Sequence, residues 1–344
     1  MDYMNRLVVI ILNWNGADDT IACIDSLRQQ KTVPSIIVVD NDSSDDSLAR
    51  LQQYKKRHSK SDLRLIKNTQ NSGFAGGINV GLLHALGEGF EYIGILNPDA
   101  TAAKMWSTEL IKELDKNPEY GLATGLLLSR DGKTIDSTGD FYSTWGLAFP
   151  RGRGQPRSQA SKKAEPVFGA TGGSVVFRAS VFEKIGLFDE RFFMYYEDVD
   201  ISFRAQLAGF RVRYTPRAIA YHKQGASSQK VPGLTVYNTF KNLPLLAYKN
   251  LPTGLLWSVL PRFWLAYWLF YFNAIRRGNG WAATKGIGAS LRLLPYCIAY
   301  RHKNRRARIV TVKYIRSLIY DGLPPVESGL QRLIHPFKSR RSKA

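Results

Sequence analysis

Residues 6–16 read RLVVIILNWNG, a strand-like apolar run (Arg6–Leu12) that ends in polar residues and a glycine. Strand-like runs return three more times, at Ser35–Asp40, Leu63–Lys67 and Tyr92–Leu96. Segments with helical spacing separate them, at Ala17–Gln30, Ser44–Arg57 and Ala75–Leu86. Strands that alternate with helices in this way build parallel sheets with right-handed crossovers. The first 100 residues therefore predict an α/β fold with a parallel sheet.

Clusters of polar residues follow each of these four strands. They are Asn13–Gly16, Asp40–Asp45, Asn68–Gly77 and Asn97–Asp99. In an open parallel sheet, ligands bind beyond the carboxyl ends of the strands, which lie along one edge. Turns alone do not readily explain four successive polar strand ends, so this edge is the predicted binding site.

Single residues in these clusters have both functional and structural interpretations. Asp40 suits hydrogen bonds to a nucleobase or ribose, whereas Asp42–Asp45 suit the cap of the next helix. Asp99 suits a divalent metal such as Mg²⁺ or Mn²⁺ that also binds phosphate, although Asn-Pro-Asp also favours an Asx-type turn. His222 ends the predicted strand Ala218–His222 and is either a metal ligand or a structural histidine.

The segment Asn68–Leu82, NTQNSGFAGGINVGL, places glycines before or at the start of a helix. Glycine lets backbone N–H groups approach a ligand closely, and a helix N-terminus favours phosphate. The segment has neither the spacing GxGxxG nor the ending GK[ST]. A dinucleotide-binding fold and a P-loop are therefore disfavoured.

The segment Phe192–Arg204, FFMYYEDVDISFR, places three acidic residues after five consecutive aromatic or Met residues. Asp200 has the right spacing to pair with Arg204 one helical turn later. A helix start explains Glu197 and Asp198 less well, because carboxylates against apolar surface are costly unless they are paired, bound to a metal or used in chemistry. Both are candidate functional residues.

Residues 130–168 have a different composition, rich in Gly, Ser, Lys, Arg and Pro. They include RGRGQPRSQASKKAEP at 151–166, which is either a mobile loop across the site or a surface excursion. Further strands are predicted at Ser174–Arg178 and Arg211–Tyr214, before the strand that ends at His222.

Composition limits the class of protein. The chain has 344 residues, 44% of them hydrophobic, which is enough for a sizeable core. Its two cysteines suit a reducing compartment and do not indicate a disulfide framework or a zinc site. The first apolar run is too short for the core of a signal peptide, so a cytoplasmic protein is expected.

The basic charge is concentrated near the C-terminus. Net charge is +20, and residues 276–344 carry 16 Lys and Arg against two acids. Leu255–Phe272 holds one charge, Arg262, and one proline, Pro261, and its many Trp and Tyr residues favour a helix in a membrane interface. A buried helix packed on the preceding domain is the alternative. With the basic residues of Arg301–Arg308, the region favours an anionic membrane surface over nucleic acid.

Taken together, the motifs resemble glycosyltransferase family 2, the inverting GT-A enzymes. The matching segments occur in the family's order over about residues 6–228: VVIILNWNG, VVDNDSSDDS, NSGFAGGINVGL, ILNPDA, GATGGSVVFRASVFEKIGLFDERFFMYYEDVDISFRAQLAGFRVRY and AYHKQGAS. The motifs NWNG, NPD and FFMYYEDVDISFR resemble those of the bacterial branch of the family that contains rhamnosyltransferases of O-antigen and cell-wall assembly. The resemblance implies a Rossmann-like, mostly parallel central sheet flanked by helices.

The resemblance implies a donor side in the first half of the chain. Asp40 would hold the base and ribose of a nucleotide, and Asp99 would bind Mg²⁺ or Mn²⁺ on the diphosphate. Asn97 stands where the family usually has the first acid of Asp-x-Asp, so a weaker metal site is expected. The substrate-binding residues implied on this side are Asn13, Asn71, Gly76, Asn79 and Asn97.

The resemblance also implies an acceptor side. Asp198 would be the general base, with Glu197 beside it in acceptor binding. Gly172 and Gly173 would border the acceptor site, and His222 would contact the metal or the diphosphate. The aromatic residues before Glu197, Tyr196 among them, would form the wall against which the acceptor rests.

The predicted protein is an inverting hexosyltransferase that moves L-rhamnose from dTDP-rhamnose to a lipid-linked or polysaccharide acceptor. Alternatives are a UDP-sugar donor (galactofuranose, glucose or N-acetylglucosamine), a non-catalytic sugar-nucleotide-binding partner of a glycan assembly complex, and a nucleic-acid-binding protein. A GT-A catalytic domain is expected at 1–228, with a nucleotide-sugar half at about 1–100 and an acceptor half at about 101–228. A helical, membrane-associating region follows at 229–344. The expected location is the cytoplasmic face of the cell membrane, with a homodimer left open.

Overall fold

The structure, a computed structural model, describes residues 6–223 and 231–325. It divides into two compact units. The first comprises the described residues up to Asp140 and those from Pro150 to Pro232, and the second comprises Phe141–Phe149 and the described residues from Gly233 onward. The predicted domain boundary at residue 228 and the end of the AYHKQGAS motif lie outside the described residues.

Strands and helices alternate over the first hundred residues, as predicted. The strands are β1 (Leu7–Asn13), β2 (Ser35–Asp40), β3 (Leu63–Lys67), β4 (Tyr92–Leu96), β5 (Ala100–Ala102), β6 (Tyr120–Ser129), β7 (Ile135–Ser137), β8 (Asp140–Tyr142), β9 (Ala148–Pro150), β10 (Glu165–Val167), β11 (Ser174–Arg178) and β12 (Arg211–His222). The helices of the first unit are α1 (Ala17–Arg28), α2 (Ser47–Arg57), α3 (Gly73–Gly87), α4 (Trp106–Lys116), α5 (Ala179–Ile185) and α6 (Glu197–Leu207).

The main sheet has the strand order β10-β12-β6-β11-β4-β1-β2-β3, with β5 on β12 and β7 on β6. Strands β4, β1, β2 and β3 run parallel, which confirms the predicted sheet. β11 is antiparallel to both of its neighbours, β4 and β6. The register places Asn13 opposite Asp40, so the polar ends of β1 and β2 meet at one edge.

Helices cover both faces of the sheet because successive side chains of a strand point to opposite sides. On one face, Val8 and Ile10 of β1 share a core with Ile78 of α3. On the other face, Val9 of β1 shares a core with Ile24 of α1. A Cβ added at Gly77 would lie 2.4 Å from Leu12 Cδ1, so this glycine lets α3 pack closely on β1.

Two predictions in the second half of the sheet need correction. The two short strands Arg211–Tyr214 and Ala218–His222 are one strand, β12, whose pairing with β6 shifts register between Thr215 and Ile219. Pro216 lies in that shift and lacks the N–H that a regular ladder needs. Residues 130–168, predicted as a loop, contain β7 to β10, and the backbone N–H of Ile135 bonds Gln155 O at 2.8 Å.

The second unit is helical. Its helices are α7 (Leu234–Asn250), α8 (Thr253–Arg276), α9 (Gly280–Arg292), α10 (Leu294–Ala307) and α11 (Val312–Leu318). One side of α8 is buried, and Tyr267 donates to the backbone oxygen of Phe240 in α7 at 2.7 Å. Among the described residues, no helix combines the length and apolar character that crossing a bilayer requires.

Candidate active site

The ends of β1 and β2 form a closed hydrogen-bond network around Asp40. Its Oδ2 accepts from Asn13 Nδ2 at 2.7 Å and from Ser43 Oγ at 2.7 Å, and Ser43 N donates to Oδ1 at 3.1 Å. Thr20 of α1 donates to Asn13 Oδ1 at 2.8 Å. Asp40 and Asn13 are buried, so both are held rigidly at the sheet edge. Asp45 Oδ1 accepts from Ser47 N at 2.9 Å, whereas the cap residue of α2 is Asp46, whose side chain makes no capping bond.

Asn41 orders the glycine-rich segment, a role that the sequence did not reveal. Its Nδ2 donates to Asn71 Oδ1 and to Gly73 O, each at 3.0 Å, and its Oδ1 accepts from Ser72 N at 3.2 Å. Asn71 Oδ1 also accepts from Gly73 N at 2.9 Å. Gly73 has φ +71 and lies against Phe193 O, where a Cβ would be 2.3 Å away. The predicted residue Asn71 is therefore fixed beside the end of β2.

Asn79 and Gly76 lie on α3. Asn79 Nδ2 donates to Phe188 O and to Glu190 Oε1, each at 2.9 Å, while Oδ1 accepts from Phe188 N at 3.0 Å. The buried Asn79 amide thus anchors the turn before α6. A Cβ at Gly76 would lie 2.7 Å from Ser72 Cβ, so Gly76 permits close packing within the glycine-rich segment.

Asp99 and His222 meet at the other side of the edge, although 123 residues separate them. His222 Nε2 lies 3.0 Å from Asp99 Oδ1 and 3.3 Å from Asn97 Nδ2. His222 Nδ1 lies 2.6 Å from Asp136 Oδ2. The other carboxylate oxygen of Asp136, Oδ1, pairs with Arg153 Nη2 at 2.8 Å. We call Asp99 and His222 the Asp99–His222 corner.

The Asp99–His222 corner offers one carboxylate and one imidazole, side-chain types that bind divalent metals. Burial lowers the pKa of His222, but hydrogen bonds to Asp136 and Asp99 outweigh it and raise the pKa to about 9. A carboxylate on the far nitrogen of a histidine is the usual second partner of metal-binding histidines. The described residues contain no group of three or more His, Cys, Asp or Glu side chains suited to a metal. Phosphate oxygens and water would complete the coordination, as Mg²⁺ sites often require.

Asp198 lies at the N-terminus of α6 and faces the start of β11. Its Oδ2 accepts from Gly172 N at 2.9 Å and its Oδ1 from Val199 N at 2.8 Å. Burial raises the pKa of its carboxyl above the usual range, although these backbone bonds oppose the shift. Gly173 O accepts from Asn97 N at 3.1 Å. The Gly172–Gly173 pair therefore joins Asp198 to the loop that carries Asp99.

The aromatic segment before α6 has an unusual backbone. Phe193, Tyr195 and Tyr196 have φ values of 62, 71 and 70, a region that non-glycine residues rarely adopt. Such strained residues concentrate at functional sites. Tyr196 is partly exposed, whereas Phe192 is fully buried and belongs to the core, so it does not contribute to a wall open to an acceptor. Glu197, at the first position of α6, is buried.

Asp200 and Arg204 form the predicted helix pair. Arg204 Nε donates to Asp200 Oδ2 at 2.8 Å, and both side chains are almost fully buried. Arg204 also donates to the backbone oxygens of Ile185 and Leu187, each at 2.9 Å. This confirmed pair locks α6, and with it Asp198, onto the end of α5.

Asp140 is a second buried carboxyl near the base candidate, and sequence reasoning did not single it out. Its backbone pairs with Gly169, where a Cβ would lie 3.5 Å from Asp140 Cβ and 3.1 Å from Ser202 Cβ of α6. Burial raises its pKa well above the usual value, and the charge of Asp198 raises it further. Asp136 and Arg153 were missed as well, since all three fall in the segment predicted as a loop.

The family model for glycosyl transferase family 2 matches residues 8–186, slightly more than half of the chain. The low-salt glycan biosynthesis hexosyltransferase Agl10 of Haloferax volcanii is 28% identical over 246 residues, 70% of this chain and 74% of the relative. The N-acetylglucosaminyl-diphospho-decaprenol L-rhamnosyltransferase of Mycobacterium tuberculosis is 28% identical over 229 residues, 60% of this chain and 72% of the relative.

Solved structures share the fold. The mannosyltransferase PcManGT from Pyrobaculum calidifontis, in complex with GDP-Man and Mn²⁺, has a TM-score of 0.54 at 16% identity, covering 96% of this chain and 88% of that one. S. aureus TarS 1–349 in complex with UDP-GlcNAc has a TM-score of 0.56 at 17% identity, covering 91% and 90%. The fold is thus GT-A, and the chain belongs to glycosyltransferase family 2.

Proposed function

We propose that this glycosyltransferase transfers a sugar from a nucleotide donor to an acceptor hydroxyl with inversion, and that Asp198 is its general base. The observation that carries the proposal is the position of Asp198. Its carboxylate is held by Gly172 N, and the adjoining Gly173 holds Asn97 at the start of the loop that carries Asp99. Base and diphosphate-binding residues therefore border one site.

The chemistry needs one proton acceptor and one positively charged partner for the leaving group. The oxygen of the acceptor hydroxyl bonds to the anomeric carbon while Asp198 takes the hydroxyl proton. The nucleoside diphosphate leaves from the opposite face. Glu197, next to Asp198, is proposed to contact the acceptor. Asp40 and Asn71, both fixed at the ends of the donor-side strands, are proposed to bind the nucleotide.

Asp99 and His222 would hold the metal, with Asp136 orienting the imidazole. Bound there, Mg²⁺ or Mn²⁺ would neutralise charge that develops on the leaving diphosphate. Asn97 gives the corner one carboxylate fewer than Asp-x-Asp, so we expect the metal to bind weakly without a nucleotide.

Asp99→Asn is expected to weaken Mn²⁺ binding by about 10- to 100-fold or more. Loss of a residue that only hydrogen-bonds to a metal ligand already has an effect of that size. The amide has the shape of the carboxylate and lacks its charge. Titration of Mn²⁺ by electron paramagnetic resonance, with UDP present, measures the affinity directly. Asp131→Asn, in an exposed turn after β6, is the matched control and should bind Mn²⁺ like the unchanged protein. Equal affinities for all three proteins would remove Asp99 from the metal site.

For the donor, we propose L-rhamnose from dTDP-rhamnose, because a relative at 28% identity is an L-rhamnosyltransferase. That relative's name also supports a lipid-diphosphate acceptor. The name of the Haloferax volcanii relative supports a role in glycan biosynthesis, and we propose that the glycan belongs to the cell wall. UDP-sugars are the alternative donors. The test incubates the protein with dTDP-rhamnose, UDP-galactofuranose, UDP-glucose and UDP-N-acetylglucosamine, plus Mn²⁺ and a polyprenyl-diphosphate acceptor. Product mass identifies the sugar, and absence of transfer from every donor would refute the proposed function.

We further propose that the second unit attaches to an anionic membrane surface. Exposed apolar residues recur on one side of α8 at helical spacing: Trp257, Leu265, Trp268, Phe272 and Ile275. Among the described residues of this unit the single acid is Asp321, whereas exposed basic residues include Arg276, Arg277, Lys285 and Arg292. An apolar face combined with basic charge suits anionic lipid.

Replacing Trp257, Trp268 and Phe272 together by Ala is expected to weaken binding to phosphatidylglycerol vesicles more than about 10-fold. Full burial of one such side chain is worth about 1.5–3 kcal/mol, and even partial insertion of three exceeds 1.4 kcal/mol. Vesicle co-sedimentation measures binding. Leu83→Ala, an exposed leucine on α3, is the control and should bind normally. Retention of the triple variant at the same level would contradict the proposal, as would equal binding to phosphatidylcholine vesicles.

A further inference from the structure

Arg153 is a fixed arginine beside the Asp99–His222 corner that the proposed chemistry does not use. Its Nη2 pairs with Asp136 Oδ1 at 2.8 Å, and its Nε donates to Asp136 O at 3.2 Å. Two bonds to one buried residue hold the guanidinium in place. Even so, 47% of the Arg153 side chain is exposed, against 1% for Asp136. The arginine is therefore both oriented and accessible.

Asp136 connects this guanidinium to the corner. One of its oxygens faces Arg153, and the other lies 2.6 Å from His222 Nδ1. His222 in turn lies 3.0 Å from Asp99. A single buried carboxylate thus positions both an imidazole on the metal side and a guanidinium on the solvent side.

The charge of Arg153 also reaches the acceptor side. Its charge opposes the rise in pKa that burial causes in Asp198 and Asp140, which places it within electrostatic range of the proposed base. Among the described residues, none bonds Arg153 Nη1, so the guanidinium keeps N–H donors that are available to a ligand. The planar guanidinium fork matches phosphate oxygens and favours bidentate contacts.

We propose that Arg153, positioned by Asp136, binds a phosphate of the diphosphate that enters the active site. The inference rests on the proposed use of a nucleotide-sugar donor. The same chemistry has two sources, the diphosphate of the donor and the diphosphate of a lipid-linked acceptor. If Arg153 served only as the counter-ion of Asp136, its removal would change stability without changing phosphate recognition.

The test compares Arg153→Gln with Arg157→Gln in the full chain. Arg157 is exposed and lies four residues further along the same segment, so it is a matched control. In the donor arm, calorimetry measures the dissociation constants of UDP and dTDP with Mn²⁺. In the acceptor arm, KM is measured for a polyprenyl-diphosphate sugar and for the same sugar on an uncharged alkyl chain. Urea unfolding reports stability.

Arg153→Gln is expected to weaken one arm about 10- to 100-fold, the range for loss of a hydrogen bond between charged groups. Weaker nucleoside diphosphate binding identifies the donor as the source. If nucleoside diphosphate binding is unchanged and KM rises only for the polyprenyl-diphosphate acceptor, the phosphate that Arg153 binds belongs to the acceptor. Both arms within about threefold of Arg157→Gln would overturn the proposal, even if stability falls.

If Arg153→Gln does not fold, Arg153→Lys replaces it, because lysine keeps the pair with Asp136 and loses the planar fork. A loss of about three- to tenfold in either arm is then expected, because the ammonium group keeps the charge but makes no bidentate contact. Unchanged constants overturn the proposal. Failure of the proposed function is distinguishable, since it appears as absent sugar transfer by the unchanged protein. Nucleotide affinity does not depend on turnover.

Discussion

Asp198→Asn is expected to lower sugar transfer about 10²- to 10⁴-fold, the contribution that a general base typically makes. The amide keeps the shape of the side chain and can still accept from Gly172 N, but it cannot take the proton of the acceptor hydroxyl. Nucleoside diphosphate binding should be unchanged, because the donor-side residues Asn13 and Asp40 are held by their own network. Initial rates of product formation and calorimetric donor binding measure the two effects separately.

The pH profile gives a second test of the same assignment. Asp198 must be ionised to act as a base, and burial raises its pKa above the usual value near 4. Hydrogen bonds from the backbone N–H groups of Gly172 and Val199, and the nearby charge of Arg153, oppose that shift. Activity should therefore fall as pH drops through the raised pKa, at a higher pH than for an ordinary aspartate. The acid limb should disappear from the residual activity of Asp198→Asn.

Asp131→Asn is the control for Asp198→Asn as well. It removes an exposed carboxylate of the same unit, far along the chain from α6. Its transfer rate should stay within about twofold of the unchanged protein. Full turnover by Asp198→Asn would exclude Asp198 as the base. A parallel loss of donor binding would instead indicate that the substitution disturbs the whole site.

The parallel half of the fold was predictable because its strands are apolar along their length and end in polar residues. The central strand β6 was not predicted, although nearly all of it is buried. Its sequence YGLATGLLLS contains Gly121 and Gly125, which lower strand propensity. Gly125 has a tertiary reason, because a Cβ there would lie 2.0 Å from Ala218 O. The irregular pairing with β12 requires a glycine, and the local sequence cannot reveal that.

Residues of the candidate site could be singled out from the sequence where they follow strands, and they were hidden where they do not. Asp40, Asp99 and His222 stand at strand ends, and the fold brings the last two together. Asp136 and Asp140 fall in a Gly- and Ser-rich segment whose composition predicts a loop. The available signal was the same one that drew attention to Asp198, a carboxylate beside apolar residues. Ile135 precedes one acid and Phe141-Tyr142 follow the other.

Asp200→Asn is expected to lower the free energy of unfolding by about 3–5 kcal/mol, since it leaves the Arg204 charge buried without its counter-ion. Both side chains are almost fully buried, and the backbone oxygens of Ile185 and Leu187 cannot neutralise the guanidinium. For a domain whose total stability is about 5–15 kcal/mol, this is a large fraction. Urea unfolding followed by circular dichroism measures the change.

The exposed pair Arg50–Asp18 provides the control, because it joins the same two residue types with 82% of the Asp18 side chain exposed. Asp18→Asn should cost less than about 1 kcal/mol, as exposed ion pairs generally do. Equal effects of the two substitutions would mean that burial does not set the energy of the Asp200–Arg204 pair. A large effect of Asp200→Asn alone would also explain the arrangement of α6. Arg204 bonds the backbone at the end of α5 and Asp200 neutralises its charge, whereas Asp198, two residues before Asp200, takes no part in that pair.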